Sequence, residues 1–120
     1  MTLQGVWAPN EKETENQKKM AGILSSYVTN KPRTILSGDF NVNPYTHTIT
    51  TLDGILDNVF KSDSRKTSFN LKHKDLIKSP GYAEGIVDFI FTSRDIPHIC
   101  HYTSDVDVSD HLAQTFYFST

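Results

Sequence analysis

Three segments of the sequence place acidic, amide or imidazole side chains in or beside apolar runs of strand length. They are Gly38-Asp39-Phe40-Asn41, Ile86-Val87-Asp88-Phe89-Ile90-Phe91 and Ser109-Asp110-His111. Ligands of α/β sheets gather at strand ends rather than along the buried middles of strands. A carboxylate next to an imidazole is the usual equipment of general acid–base catalysis or metal binding. These three segments are therefore the candidates for a chemical site.

Each segment also has a purely structural explanation. Gly, Asp and Asn all favour turns, so Gly-Asp-Phe-Asn is also explained as a turn. Burial penalises Asp88 unless its carboxylate has a partner, and a hydrogen bond to a nearby loop would supply one. Asp110 would serve equally as the cap of a bend. Neighbouring residues of a strand point to opposite faces, so Asp110 and His111 share one site only if they lie in a loop.

The hydrophobic pattern predicts strands and two amphipathic helices around these segments. Strands are predicted over 3–7, 34–37, 86–92, 98–102 and 112–118, with a further short strand over 67–69. The first helix has Met20, Ala21, Leu24, Tyr27 and Val28 at helical spacing, and a capping box of either Asn10 with Glu13 or Thr14 with Gln17. The second has Ile49, Leu52, Ile55, Leu56 and Val59 on one side. We expect a long surface excursion over 61–84, with a turn at Ser79-Pro80-Gly81, in a layered α/β architecture.

Composition narrows the class of protein. The 120 residues allow one domain, and 12 Lys and Arg against 14 Asp and Glu give a charge of −2, which excludes a polycation that binds nucleic acid mainly through phosphate neutralisation. With 37% hydrophobic and 22% charged residues the chain is expected to fold. A single cysteine, Cys100, forms neither an internal disulfide nor a Cys-based zinc site. No apolar stretch reaches membrane-span length and the N-terminus lacks a signal-peptide pattern, so we expect an intracellular, cytoplasmic protein without a membrane span.

Taken together and in this order, the three segments resemble the motifs of the endonuclease/exonuclease/phosphatase superfamily, the relatives of DNase I and of abasic-site endonucleases. The resemblance extends back to Gly5-Val6-Trp7-Ala8-Pro9-Asn10 and to the helix that carries Gln17. It implies a four-layered α/β sandwich, of which this chain would supply half: a mixed, mostly antiparallel sheet with two helices on one face. It also implies Mg²⁺-dependent hydrolysis of phosphoesters, with Mn²⁺ as an alternative cation.

The resemblance also implies a role for each matching residue. Asp39 would orient or deprotonate the attacking water and bind the metal together with Asp110. Asn41 would hold the scissile phosphate. His111 would stabilise charge on the phosphate or act as acid and base, oriented by Asp88 through its other ring nitrogen. Most of the catalysis would then come from positioning and charge neutralisation, and oxygen ligands such as Asp suit Mg²⁺ rather than zinc.

Two departures from the family pattern qualify these expectations. Trp7 stands where the family usually has a His or Tyr that contacts the phosphate, and an indole cannot accept a proton. Trp7 is therefore interpreted as a substrate contact, a core residue or a base-stacking surface. The resemblance further implies that residues 1–120 are the C-terminal portion of such a domain. The N-terminal half, with an early Asn and the principal metal-binding Glu, would then be absent, and we expect this chain to associate with that half or with itself.

The remaining histidines show no metal-binding spacing. His98 and His101 lie three apart in a predicted strand and are expected on opposite sides, as surface or core residues. The basic segment 61–78 is explained equally well as a contact to a phosphate backbone or as a solvated loop. The favoured function is a nuclease acting on nucleic acid, DNA first. The alternative is a remnant without turnover that binds phosphate or a protein partner.

Overall fold

The computed structural model describes residues 1–8, 12–76 and 85–120. In chain order the elements are β1 (Thr2–Gln4), α1 (Glu15–Val28), β2 (Ile35–Asp39), α2 (His47–Ile55), β3 (Asp57–Asn58), a 3-10 helix (Leu71–Leu76), β4 (Asp88–Thr92), β5 (His98–Ser104) and β6 (Ala113–Phe118). The predicted α/β class is confirmed. The turn predicted at Ser79-Pro80-Gly81 and the alternative helix cap at Asn10 lie outside the described residues. None of the helices in the described ranges has the length and apolar character needed to cross a bilayer.

Four strands form one mixed sheet in the order β1-β2-β4-β3. The pair β1–β2 is parallel, while β2–β4 and β3–β4 are antiparallel, so the predicted mixed and mostly antiparallel sheet is confirmed. The last two strands, β5 and β6, instead form a separate antiparallel pair. The expectation of one sheet is corrected to two because β2 and β3 already occupy both edges of β4, which leaves that strand no free edge for the strands that follow it.

Both helices pack on one face of the four-stranded sheet, as predicted. One buried cluster joins the helices to the sheet, and it consists of Leu24, Val28, Leu36, Phe40, Val42, Ile49, Leu52, Leu56, Phe89 and Phe91. Leu36 of β2 lies opposite Phe91 of β4 in the register, so these two side chains share the face that the helices cover. Alternation along each strand therefore directs Asp39 and Asp88, which are also register partners, to the opposite face.

The start of α1 is the capping box formed by Thr14 and Gln17. The Gln17 backbone N–H donates to the Thr14 hydroxyl at 3.3 Å, and the Thr14 N–H donates to Gln17 Oε1 at 2.7 Å. Along the helix Ala21, Leu24 and Val28 are buried as predicted, whereas Tyr27 is exposed.

The second helix is shorter than its apolar pattern predicts. It ends at Ile55, and Asp57–Asn58 pairs with β4 instead of continuing the helix. The backbone N–H of Val59 then donates to the carbonyl of Ile90 at 2.9 Å. The helix prediction over Val59 is wrong because the open edge of β4 offers backbone hydrogen bonds to this segment, and tertiary pairing overrides the local pattern.

A shift in the register of β5 against β6 lies between His98 and Cys100. An irregularity of this kind changes the alternation of side chains along the strand. The two imidazoles of His98 and His101 consequently lie on the same side, with His98 Nε2 2.9 Å from His101 Nδ1 and the rings stacked at 4.9 Å. The expectation that these residues face opposite sides is therefore wrong.

Candidate active site

Three predicted residues from three distant segments meet at one end of the sheet. Asp39 closes β2, Asp88 opens β4, and His111 lies just before β6. One potential ligand atom from each of the three side chains lies within 4.8 Å of the others, and all three residues are half-buried. A shallow cavity of about 210 Å³ opens beside them, lined by Asp39, Asp88 and Gln114 among others. The structure thus places one predicted residue from each motif in a single group.

The imidazole of His111 is held by Asp88. His111 Nδ1 lies 2.8 Å from Asp88 Oδ2, so the ring donates its Nδ1–H to the carboxylate and leaves Nε2 for another partner. The same hydrogen bond raises the pKa of His111 above its usual value, since it stabilises the charged ring. The charges of Asp88, Asp39 and Asp110 raise this pKa further, while burial works against them. The arrangement therefore favours the protonated form of His111 more than an isolated imidazole does.

The short segment around Phe69 positions both members of this pair. Phe69 forms an isolated antiparallel bridge with His111, and the N–H of Leu112 donates to the carbonyl of Ser68 at 2.8 Å. The Ser68 hydroxyl accepts from the backbone N–H groups of Val87 at 3.0 Å and Asp88 at 3.3 Å. The Phe69 ring lies against the imidazole with centroids 4.7 Å apart. The strand predicted over 67–69 is therefore a single bridge, and it connects the Asp88 and His111 segments.

Asp39 is fixed by two donors on either side of its carboxylate. The backbone N–H of Asn41 donates to Oδ1 at 2.8 Å, and Gln4 Nε2 donates to Oδ2 at 3.0 Å. Burial is the largest influence on this group and raises the pKa of Asp39, and the charge of Asp88 raises it further. The two hydrogen bonds and His111 act in the opposite direction. Asp39 is thus a carboxylate that binds a proton more readily than an exposed Asp.

Asn41 lies in a left-handed backbone conformation, with φ of 54°. Its side-chain Nδ2 donates to the carbonyl of Gly5 at 2.9 Å. The buried Gln17 donates from Nε2 to the carbonyls of Asn41 at 3.1 Å and Val6 at 2.8 Å. This amide therefore ties α1 to the two loops that follow β1 and β2, and it sets the position of the N–H that contacts Asp39.

The close approach of β1 to β2 requires glycine at two positions. Gly38 has φ of +148°, and a Cβ atom there would collide with the carbonyl oxygen of Leu3. A Cβ atom on Gly5 would collide with the backbone of Phe40. The Gly-Asp-Phe-Asn segment is therefore the end of a strand rather than only a turn, and its glycine allows the strand that carries Gln4 to lie beside Asp39.

Asp110 and Trp7 do not belong to the three-residue group. The carboxylate of Asp110 accepts from the Ser109 hydroxyl at 3.1 Å, and its backbone carbonyl accepts from the N–H of Asn70 at 2.8 Å. Trp7 follows β1 and is 54% exposed, which excludes the interpretation of this side chain as core. The roles of Asp110 as a metal ligand and of Trp7 as a substrate contact remain predictions.

The donor set suits a hard divalent cation. Asp39 and Asp88 bring two carboxylates together at one end of the sheet, and their mutual repulsion would be relieved by a cation between them. Mg²⁺ in proteins is commonly held by one or two carboxylates and retains several waters. Nδ1 of His111 is engaged with Asp88, so the oxygens of the two aspartates would be the first ligands for such an ion.

Three supporting residues were not predicted from the sequence as parts of the site. Gln4 donates to the Asp39 carboxylate, and Ser68 accepts from the Asp88 backbone N–H. Gln17 bridges the loops that follow β1 and β2. Gln17 alone carried a signal, because it matched the helix preceding the Gly-Asp-Phe-Asn segment in the family pattern. A polar side chain that bonds across a sheet to a distant strand has no local periodicity that would reveal it.

The chain was compared with models of protein families, with curated proteins and with solved structures, and none of the three comparisons gave a match.

Proposed function

We propose that this site hydrolyses phosphodiester bonds through attack by water, with Mg²⁺ as cofactor and Mn²⁺ as an alternative, and that the chain acts as a nuclease. The observation that supports the proposal is the meeting of Asp39, Asp88 and His111 within 4.8 Å from three segments far apart in the sequence. Two carboxylates could bind a cation and accept the proton of the attacking water. An oriented imidazole could stabilise the charge that develops on the phosphate.

Asp39 and Asp88 are the residues that would hold the cation. When bound there, the cation would neutralise negative charge on the phosphate and lower the pKa of a coordinated water. Asp110 is a further predicted ligand whose carboxylate lies outside the three-residue group.

Asp39 is proposed to accept the proton of the attacking water. Burial raises its pKa, which makes it a stronger base than an exposed aspartate when no cation is bound to it. The N–H of Asn41 and the amide of Gln4 hold its two oxygens, so the carboxylate is fixed in orientation before substrate binds. Nδ2 of Asn41 donates one of its two hydrogens to the Gly5 carbonyl, and we propose that the second contacts the scissile phosphate.

His111 is proposed to act in its protonated form. Asp88 holds Nδ1–H, so Nε2–H is the donor that would reach a phosphate oxygen and stabilise the charge that develops there. Asp88 is therefore a positioning residue for His111 in addition to a ligand for the cation. In this proposal Asp39 is the base and His111 is the proton donor, and both lie in the same three-residue group.

DNA is the proposed substrate because the basic segment 61–78 contacts the rim of the site at Asn70. Asn70 donates its backbone N–H to Asp110, and the 3-10 helix that follows carries the exposed Lys72 and Lys74. Cations at this rim suit a substrate with phosphates on both sides of the scissile bond, and a small phosphomonoester lacks such phosphates.

The test is plasmid nicking with Mg²⁺, with EDTA in excess, and with the variant His111→Ala. We expect nicking by the parent chain with Mg²⁺, its loss with EDTA, and a fall of about 10²-fold or more in rate for His111→Ala. His47→Ala is the matched control, since His47 is exposed at the start of α2 on the helix side of the sheet, and its rate should equal that of the parent.

Nicking that persists in EDTA, or that is unchanged in His111→Ala, would contradict the proposal. An absence of nicking together with retained binding of a DNA oligonucleotide would indicate the alternative function, a phosphate-binding module without turnover.

A further inference from the structure

A second cluster of imidazole and carboxylate groups lies between the hairpin and the segment after β3. His101 of β5 sits with Nε2 2.8 Å from Asp63 Oδ1 and with Nδ1 2.9 Å from His98 Nε2. The Phe60 ring packs edge-on against His101, with centroids 4.7 Å apart. This cluster shares no residue with the Asp39, Asp88 and His111 group.

The hydrogen bond to Asp63 determines which nitrogen of His101 is free to accept. An ionised carboxylate only accepts, so His101 Nε2 carries the hydrogen and Nδ1 presents its lone pair. That lone pair points at His98 Nε2. A histidine that donates one ring N–H to a carboxylate and offers the other nitrogen to an ion is the usual arrangement of a metal-binding imidazole.

We propose that His98 and His101 form a binding site for a borderline transition-metal ion, Zn²⁺ being the representative, with Asp63 orienting His101 from behind. Imidazole nitrogens bind Zn²⁺ at about 2.0–2.1 Å, which places two tetrahedral ligands roughly 3.3 Å apart. The observed separation of 2.9 Å is that of a hydrogen bond between the two nitrogens, so a bound ion would replace this hydrogen bond, and the exposed His98 would rotate to turn its Nε2 lone pair toward the ion. Water would complete the coordination, because both His98 and the adjoining cavity of about 510 Å³ beside His101 are open to solvent.

The groups around the cluster suit a cation. Asp63 lies directly behind His101, and Arg65, which lines the same cavity, is paired with Asp105 at 3.1 Å, so its charge is offset. His101 and Asp63 are partly buried, with 18% and 31% of their side chains exposed, so the orienting hydrogen bond is sheltered while His98 remains accessible. This site is independent of the proposed hydrolase, since neither the cation nor its ligands touch the residues of that reaction.

The experiment is a titration of the chain with Zn²⁺ in competition with a chromophoric zinc indicator. The parent protein for this titration should carry both Asp39→Asn and His111→Ala, which remove one of the two carboxylates and the imidazole of the first site, so that zinc affinity reports on the hairpin. We expect this parent to bind one zinc ion, and His98→Ala to weaken the affinity at least tenfold. Asp63→Asn should weaken it by about tenfold, which is the lower end of the range for loss of an orienting carboxylate.

His47→Ala, an exposed histidine on α2, is the control and should leave the zinc affinity unchanged. His98 is exposed, so His98→Ala should keep the circular dichroism spectrum of the folded parent, and the comparison does not depend on His101 substitutions that disturb packing. Failure of the folded parent to bind zinc, or equal zinc affinity in the folded His98→Ala variant, would overturn the proposal.

Discussion

Replacement of Asp39 by Asn should abolish hydrolysis and at the same time stabilise the fold at alkaline pH. The pKa of Asp39 is raised first by burial and then by the charge of Asp88, so ionisation of Asp39 works against folding. The sign follows from linkage: a folded-state pKa above the unfolded value gives stability that is present below the unfolded pKa of 3.8 and is lost as the pH rises through the folded pKa. An amide at this position avoids that loss.

The size of the effect follows from the geometry. Ligand atoms of Asp39 and Asp88 lie within 4.8 Å of each other, and two unit charges at that distance repel by roughly 3.5 kcal/mol at an effective dielectric constant of about 20. Screening by solvent at this partly exposed site reduces the repulsion to about 1–2 kcal/mol. Near neutral pH the imidazolium of His111 offsets part of it, so the gain from Asp39→Asn should grow as His111 loses its proton.

The assay is thermal unfolding of the parent and Asp39→Asn without divalent cations at about pH 5 and about pH 9. At about pH 9 the variant should unfold about 4–8 °C above the parent, and the gain should be smaller at about pH 5. Added Mg²⁺ should stabilise the parent and leave Asp39→Asn unchanged, since the cation needs both carboxylates.

Asp95→Asn is the matched control, because a hydrogen bond from Ser93 and then the Arg33 N–H lower the pKa of Asp95, and its variant should melt below the parent. A lower melting temperature for Asp39→Asn at about pH 9, or an equal gain at both pH values, would refute the reasoning.

Three further predictions concern the same site. The pH–rate profile should be bell-shaped, limited by ionisation of Asp39 on the acid side and by deprotonation of His111 on the alkaline side. An NMR titration should give a lower pKa for His111 in Asp88→Asn than in the parent, because the hydrogen bond to Asp88 raises it, and an unchanged pKa would contradict the assignment. Gln17→Leu should lower the free energy of unfolding by about 1–3 kcal/mol in urea denaturation, since two partly buried hydrogen bonds to backbone carbonyls are lost, and a variant as stable as the parent would exclude the bridging role. Gly38→Ala should lower both stability and activity, because the new Cβ collides with the Leu3 carbonyl, whereas Gly22→Ala, at a position on α1 with open space around it, should leave activity unchanged.

The sequence predicted the site residues better than it predicted the residues that hold them in place through hydrogen bonds. Asp88 stood out because a carboxylate inside an apolar strand demands a partner, and the structure supplies His111 at 2.8 Å. The alternation of β2 and β4 then puts Asp39 and Asp88 on the face that the helices leave open. This outcome depends only on the period of a strand, which is why a sequence pattern can predict it.

The errors share a different origin. His98 and His101 were expected on opposite sides because a regular strand alternates, and a register shift at one residue reverses that expectation. The end of α2 and the splitting of the strands into two sheets depend on which edge of β4 is free, and this is a property of the assembled fold. Ser68 and Gln4 act through single hydrogen bonds over long sequence separations, which no local pattern encodes.

The most direct test of the central claim is cleavage of an end-labelled DNA oligonucleotide in oxygen-18-enriched water with Mg²⁺, followed by mass analysis of the product phosphate. If water attacks the phosphorus atom at this site, the terminal phosphate formed by the parent chain should contain one solvent oxygen. The rate should be lower by about 10²-fold or more in both Asp39→Asn and His111→Ala. A product formed without incorporation of solvent oxygen, or at equal rates in the parent and both variants, would contradict it.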